Sequence, residues 1–288
     1  MVNIMEVKVM APAKINLMLD VTGKREDGYH TLTTIMQTVS LADIVTITEQ
    51  NDNVITVRTT DPTVPSDEGN ITYTAVEKFA EYTNVQYNGL KIDIEKNIPS
   101  QAGLGGGSAD AAAVLVGLND IFDTGLSVDQ LCDIAVTIGA DVPFCVLGGT
   151  KLCTGIGEIM SDVTSLEECH IVIAKGNSGI STKTAFEKID SIVVKENHDY
   201  SCYDGSLCSV KCIGYNIFEE VAENDNIIYI KDKMISMGAE YSAMSGSGSA
   251  VFGIFANNSA QLCRGYLSDY GFFSVLCHPI DNGAKIIT

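Results

Sequence analysis

KNIPSQAGLGGGSADAAAVLVGLN, residues 96–119, places Gly103, Gly105, Gly106 and Gly107 within five positions and then begins a run of alanines. Before it, Leu90, Ile92 and Ile94 alternate with Lys91, Asp93 and Glu95, which predicts a strand. After it, Ala111, Leu115, Leu118 and Phe122 recur at helical spacing. Ser108 suits the N-cap of that helix and Asp110 its first turn. Glycine loses more conformational freedom on folding than any other residue, so a cluster here needs a purpose. Successive glycines let N–H groups turn inward to form an anion-binding concavity, and the helix end adds partial positive charge. Phosphate binding is the favoured reading, and a glycine-rich turn built only for tight packing is the alternative. A Walker A site is excluded, because that signature ends in GK[ST] and this stretch reads GGGSAD.

Composition narrows the partner. The 288 residues carry a formal net charge of −19, which argues against nucleic acid, whose backbone is held by lysine and arginine. The same charge means that a phosphate site must rely on local donors acting against a repulsive overall field. No run approaches about 18 apolar residues, so no membrane partner is expected. The opening MVNIMEVKVMAPAK has charges and no long apolar core, unlike a signal peptide. Nine cysteines, without a CxxC or CxxH pair, suggest reduced thiols and a cytoplasmic location rather than disulfides or zinc. Cys208 and Cys212, the closest pair in sequence, read as filler or surface residues.

Further strands are expected at Ile15–Val21, Asp43–Thr48 and Val54–Thr59, with a loop at Gly23–His30 and a helix at Ile71–Tyr82. From residue 169 a second pattern begins. Strands at His170–Ala174, Glu240–Met244, Ala250–Phe255 and Phe272–His278 join helices at Thr182–Ile189, Ile227–Met237 and Ala260–Tyr270. That order predicts a β-α-β-β-α-β unit with helices on an antiparallel sheet. The boundary is placed near residues 155–168, giving domains 1–160 and 161–288 of an α+β protein. Residues 191–225 carry little signal.

Three segments then resemble one superfamily. PSQAGLGGGSADAA is similar to the phosphate-binding motif of the GHMP kinases (galactokinase, homoserine kinase, mevalonate kinase and relatives). APAKINLMLDVTGKREDGYHTL (11–32) and AMSGSGSAVFGIF (243–255) agree with it. APAKINL followed by GKREDGYH resembles the branch whose acceptor is a cytidine-diphosphate-bearing methylerythritol, and IGADVPFCV (138–146) and ISTKTAFEKID (180–190) are similar to that branch too. The resemblance implies the GHMP kinase fold, an N-terminal α/β domain of ribosomal-protein type plus a C-terminal ferredoxin-like domain. It also implies ATP-dependent phosphorylation of the acceptor's 2-hydroxyl in non-mevalonate isoprenoid precursor synthesis, with Mg2+ and ATP as cofactors and a monomer or homodimer.

Residue roles follow by resemblance. Asp141 matches the catalytic base, and Lys14 the cation that keeps it ionised and opposes charge on the transferred phosphoryl. Otherwise Asp141 is an N-cap or turn aspartate before a proline, and Lys14 a strand-end surface lysine. Tyr29 and Phe186 would cover the two faces of the cytosine, and His30 would bond its edge. The plainer roles are an aromatic covering a core edge for Tyr29 and helix-face packing for Phe186. Asn16, Thr182 and Gly246 in the SGSGS turn are further substrate contacts, although that turn also reads as a simple hairpin connection. The nucleotide would meet Pro99, Ala102, Gly103, Leu104 and Gly105 through Ala109 (Gly106, Gly107 and Ser108 between), with Asn70 and Lys96 beside them. Those last two also read as exposed polar residues. No metal ligand is assigned; Asp110 is the one side chain suggested. Rival functions are another GHMP kinase, acting on homoserine or mevalonate, and a GHMP-fold binding protein without catalysis.

Overall fold

Alternation of Ile15, Leu17, Leu19 and Val21 with Asn16, Met18 and Asp20 predicts a strand with one wet face. In the computed structural model, which describes residues 5–191 and 198–287, both sets are buried. The reason is position. This strand, β1 (Glu6–Lys24), has Ile15 and Leu17 in the main core and Leu19 and Val21 in a second core. It is shared between two halves of the molecule, and its polar residues are internal ones. β1 pairs along its length with β2 (His30–Glu49), one continuous 20-residue strand where only Asp43–Thr48 was expected. Register shifts between Pro12 and Lys14 and between Asn16 and Met18 bend the pair where proline donates nothing to the ladder.

The first sheet continues with β3 (Ile55–Thr59), and after α1 (Ile71–Thr83) with β4 (Leu90–Glu95), parallel to β3. α2 (Gly106–Ile121) lies across it. Its apolar stripe was expected on one face, yet Ala109, Ala111, Ala112 and Ala113 are all fully buried. Small side chains let the helix sit close to the strands; a Cβ on Gly117 would come within 2.5 Å of Ile47. α3 (Val128–Ala135) and α4 (Val142–Leu147) pack on α2, and β5 (Thr150–Thr154) and β6 (Ile159–Asp162) form a hairpin beside β2.

The second sheet comprises β7 (His170–Lys175), β8 (Tyr241–Met244), β9 (Val251–Phe255) and β10 (Phe273–Cys277), in the order β10-β7-β9-β8 and antiparallel throughout. That order is the ferredoxin-like one. Between β7 and β8 lie α5 (Thr182–Ile189), α6 (Leu207–Ile213), a 3-10 turn (Ile217–Glu220) and α7 (Asp225–Ser236); α8 (Ser259–Asp269) precedes β10. Ile171, Ile173, Phe252 and Ile254 face the main core, while Val172, Ala174, Val251 and Phe255 face α7 and α8. Burial on both faces explains why these strands are apolar without alternation.

The chain does not divide cleanly into 1–160 and 161–288. β6 straddles that division, and β11 (Lys285–Ile286) returns to pair with β1. Among the described residues no helix is long and apolar enough to cross a membrane. The cysteines Cys202, Cys208 and Cys212 are exposed, and the spatially close pair is Cys202 and Cys212 rather than the sequence neighbours.

Candidate active site

A cleft of about 1000 Å³ opens between the two sheets. Its floor is β1. Lys14 is 5% exposed, and its ammonium donates to Asn16 Oδ1 at 2.8 Å and lies 3.5 Å from Asp141 Oδ2. Asn16 in turn donates to Thr34 Oγ1 at 2.8 Å, and Thr34 to the Met18 carbonyl at 2.6 Å. This chain of bonds fixes the amide so that its oxygen faces the lysine. Lys14 is therefore no surface residue. Asp141 occupies the N-cap position of α4, but its side chain makes no capping bond. A carboxylate one-third exposed beside a buried ammonium is available to the cleft.

The glycine loop forms the next wall. Gly105, in the left-handed region at φ 71°, is the residue before α2, and a Cβ there would touch the Lys14 side chain at 3.0 Å. The helix thus starts among the glycines. Ser108 is its third residue and not the N-cap, and Asp110 is its fifth, beyond the first turn. Gly103, Gly105, Gly106, Gly107 and Ser108 line the cleft with Pro99 and Ala102. Leu104 and Ala109 do not; both are buried in the core, and Leu104 contributes a carbonyl that accepts the Lys14 N–H at 3.0 Å.

Gly103 meets the SGSGS turn, Ser245–Ser249, so closely that a Cβ would lie 2.0 Å from the Ser245 carbonyl oxygen. Ser245 Oγ donates to the Gly103 carbonyl, and the Ala250 N–H to the Ala102 carbonyl. Gly246 abuts Gly103 and the Lys14 ammonium. The turn is part of the cleft, more than a hairpin connection.

Lys96 and Asn70 are both committed within the protein. Asn70 caps α1, accepting from the Thr72 N–H at 2.9 Å and donating to the Pro65 carbonyl at 2.7 Å, so it shapes the loop over the cleft. Lys96 is held between Asp43 and Asp110, beneath Gly106. Burial alone would lower the Lys96 ammonium, but the two carboxylates outweigh it and hold it charged. Asp110 Oδ1 is buried without a partner. Asp43 was not anticipated. It accepts from the Asn97 and Ile98 N–H groups and so ties the loop entry to β2. An aspartate inside the apolar run SLADIV was the signal for it.

At the far end, Tyr29 sits on a tight turn closed by the Arg25 N–H to the Tyr29 carbonyl at 2.7 Å, with Gly28 at φ 89°. Its ring is 61% exposed, so it covers no core edge. His30 stacks on Phe186 with centroids 4.8 Å apart and 21° between planes, and Phe186 meets Phe218 edge-on. Of the three expected base contacts, Tyr29 is the one with its ring largely uncovered. Phe186 combines helix packing with support of His30. Thr182 Oγ1 lies 3.0 Å from Ser247 Oγ and links α5 to the SGSGS turn. Asp190, also unanticipated, meets both His30 and Lys24 here.

The sequence is 44% identical over 257 residues to the 4-diphosphocytidyl-2-C-methyl-D-erythritol kinase of Caldicellulosiruptor bescii, covering 87% of this chain and 90% of that one. It is 41% identical over 264 residues to the protein of that name from Clostridium tetani, covering 89% and 94%. The chain belongs to the 4-diphosphocytidyl-2-C-methyl-D-erythritol kinase family. Consistent with this GHMP kinase family, residues 70–149 match the GHMP kinases N terminal domain and residues 217–270 the GHMP kinases C terminal domain. A crystal structure of a 4-(cytidine 5'-diphospho)-2C-methyl-D-erythritol kinase superposes with TM-score 0.74 at 28% identity, covering 96% of this chain and 99% of that one. A homoserine kinase from Cytophaga hutchinsonii gives TM-score 0.77 at 18% identity, covering 98% and 97%, a likeness of fold alone. As a kinase of this family the protein is an ATP-dependent small-molecule phosphotransferase.

Proposed function

We infer that this protein transfers the γ-phosphoryl group of ATP to the 2-hydroxyl of 4-diphosphocytidyl-2-C-methyl-D-erythritol. The observation that carries the reading is one cleft holding both a Lys14–Asp141 pair beside a glycine loop and an exposed tyrosine next to a stacked His30. Asp141 takes the proton of the acceptor hydroxyl as the new P–O bond forms. Lys14, aimed by Asn16, pairs with Asp141 and faces the charge that develops on the phosphoryl oxygens. Backbone N–H groups of Gly105 to Ser108 hold the triphosphate, which needs no added positive side chains in a chain of net charge −19. The base stacks on Tyr29 while His30 reads its edge.

Among the described residues no group of three or more His, Cys, Asp or Glu is placed to hold a metal. The unpartnered Asp110 Oδ1 fits as one protein ligand for Mg2+, phosphate oxygens supplying others. An ion held there would supply charge neutralisation to the phosphates.

ADP release with a panel of acceptors tests the assignment. Turnover should require the cytidine-bearing acceptor and yield a product with one new phosphate on a carbon hydroxyl; equal turnover with homoserine or mevalonate sinks it. Tyr29→Ala should raise the acceptor KM by roughly ten- to a hundredfold, since base stacking on an aromatic contributes about 1–3 kcal/mol. Stacking acts on ground and transition states alike, so kcat should move less. If Tyr29→Ala instead weakens ATP and spares the acceptor, the two ends of the cleft are exchanged.

A further inference from the structure

His30 carries a contact that its assigned role does not require. Its Nε2 lies 2.8 Å from Asp190 Oδ1, and the other Asp190 oxygen lies 2.5 Å from the Lys24 ammonium. Asp190 ends α5, the helix that also carries Thr182 and Phe186, so one helix presents three groups along the acceptor end of the cleft. We propose that Asp190 is a positioning residue that fixes which His30 nitrogen carries the proton, and thereby makes the pocket choose cytosine over uracil.

This deepens the acceptor reading above and rests on it. A carboxylate can only accept, so a nitrogen 2.8 Å from it is the protonated one. Lys24, and next His30 itself, hold the Asp190 carboxyl below the usual carboxylate range, which keeps it an acceptor. In the neutral ring Nδ1 is then left with a lone pair. The ring has little freedom to turn over, since its side chain is 10% exposed and its face lies on Phe186. Cytosine offers an amino donor where uracil offers a carbonyl acceptor. An Nδ1 acceptor bonds the first and faces the second lone pair to lone pair. Sites built around one such bond reject the analogue lacking it far more strongly than apolar pockets discriminate shape. Asp190 itself does not touch the base.

Two readouts test this together. The chain has four histidines, so the His30 ring nitrogens can be assigned in a 15N-labelled protein by difference against His30→Asn. Once the ring is titrated to its neutral form, the wild type should show His30 protonated on Nε2, and Asp190→Ala a mixture of tautomers. In parallel, the preference in kcat/KM for the cytidine acceptor over its uridine counterpart should fall at least tenfold in Asp190→Ala. Most of that change should lie in the cytidine acceptor's KM, with the ATP KM unmoved. Asp190 is exposed at a helix end, so its truncation leaves the fold intact, which a melting curve checks. Lys24→Met leaves the His30–Asp190 contact in place and should keep both the tautomer and the preference. A neutral wild-type His30 that carries its proton on Nδ1 overturns the proposal, as does full cytosine preference in folded Asp190→Ala. A wild type that uses both acceptors equally overturns this proposal and the acceptor reading together.

Discussion

Asp141→Asn is expected to lower kcat by about 10²–10⁴ while leaving the ATP KM nearly unchanged. The substitution keeps the side chain's shape and removes its ability to take a proton. Folding should survive it, because Asp141 sits at the N-cap of α4 without making a capping bond, so no structural hydrogen bond is lost. Lys14 keeps its bond to Asn16 and loses only a partner 3.5 Å away across a partly exposed gap. A large loss of turnover without a matching loss of stability therefore has one explanation, the chemistry. Phosphoryl transfer tends to pass through a loose transition state in which the nucleophile is little deprotonated, so a loss near 10² fits the mechanism as well as a loss near 10⁴. Wild-type kcat in the variant would move the base elsewhere in the cleft.

How much of this site was legible before the structure depends on how far apart the cooperating residues lie. The glycine loop could be read because backbone recognition of phosphate confines its requirements to a few consecutive positions. Its detail could not: glycine content does not say which residue turns left-handed, and the helix began at Gly106, ahead of the serine that looked like its cap. The ferredoxin-like half was readable because its strands and helices follow one another in order. β1 misled because period-two reasoning assumes one wet face, whereas this strand serves two cores. Asp43 and Asp190 were missed for a different reason. Asp43 meets Lys96 across 53 positions and Asp190 meets His30 across 160, and neither pairing leaves a local pattern. Asn16 could be placed at the acceptor, but its hold on Lys14 depends on the register of β1 against β2 at Thr34.

The glycines themselves supply the second large effect, and the structure separates two reasons for their presence. Gly107 is exposed to the cleft, and a Cβ there would meet nothing nearer than Ile71 at 3.7 Å. Gly107→Ala should therefore fold at least as well as the wild type, with a helix-propensity gain of up to about 1 kcal/mol. Gly103→Ala is the opposite case: its Cβ would lie 2.0 Å from a backbone oxygen of the SGSGS turn, which no side-chain motion relieves. That variant should lose stability with or without nucleotide. If the loop exists for phosphate, the methyl on Gly107 stands where the triphosphate must approach the N–H groups. A hydrogen bond to a charged group contributes about 1.5–3 kcal/mol, so the ATP KM should rise roughly 10- to 150-fold while the melting temperature holds or rises. The acceptor KM should stay near its wild-type value, because Tyr29 and His30 are at the other end of the cleft. Melting curves and both Michaelis constants for the two variants decide the matter. An unchanged ATP KM in folded Gly107→Ala would mean that the glycines serve only the seam with the SGSGS turn, and that phosphate is held elsewhere.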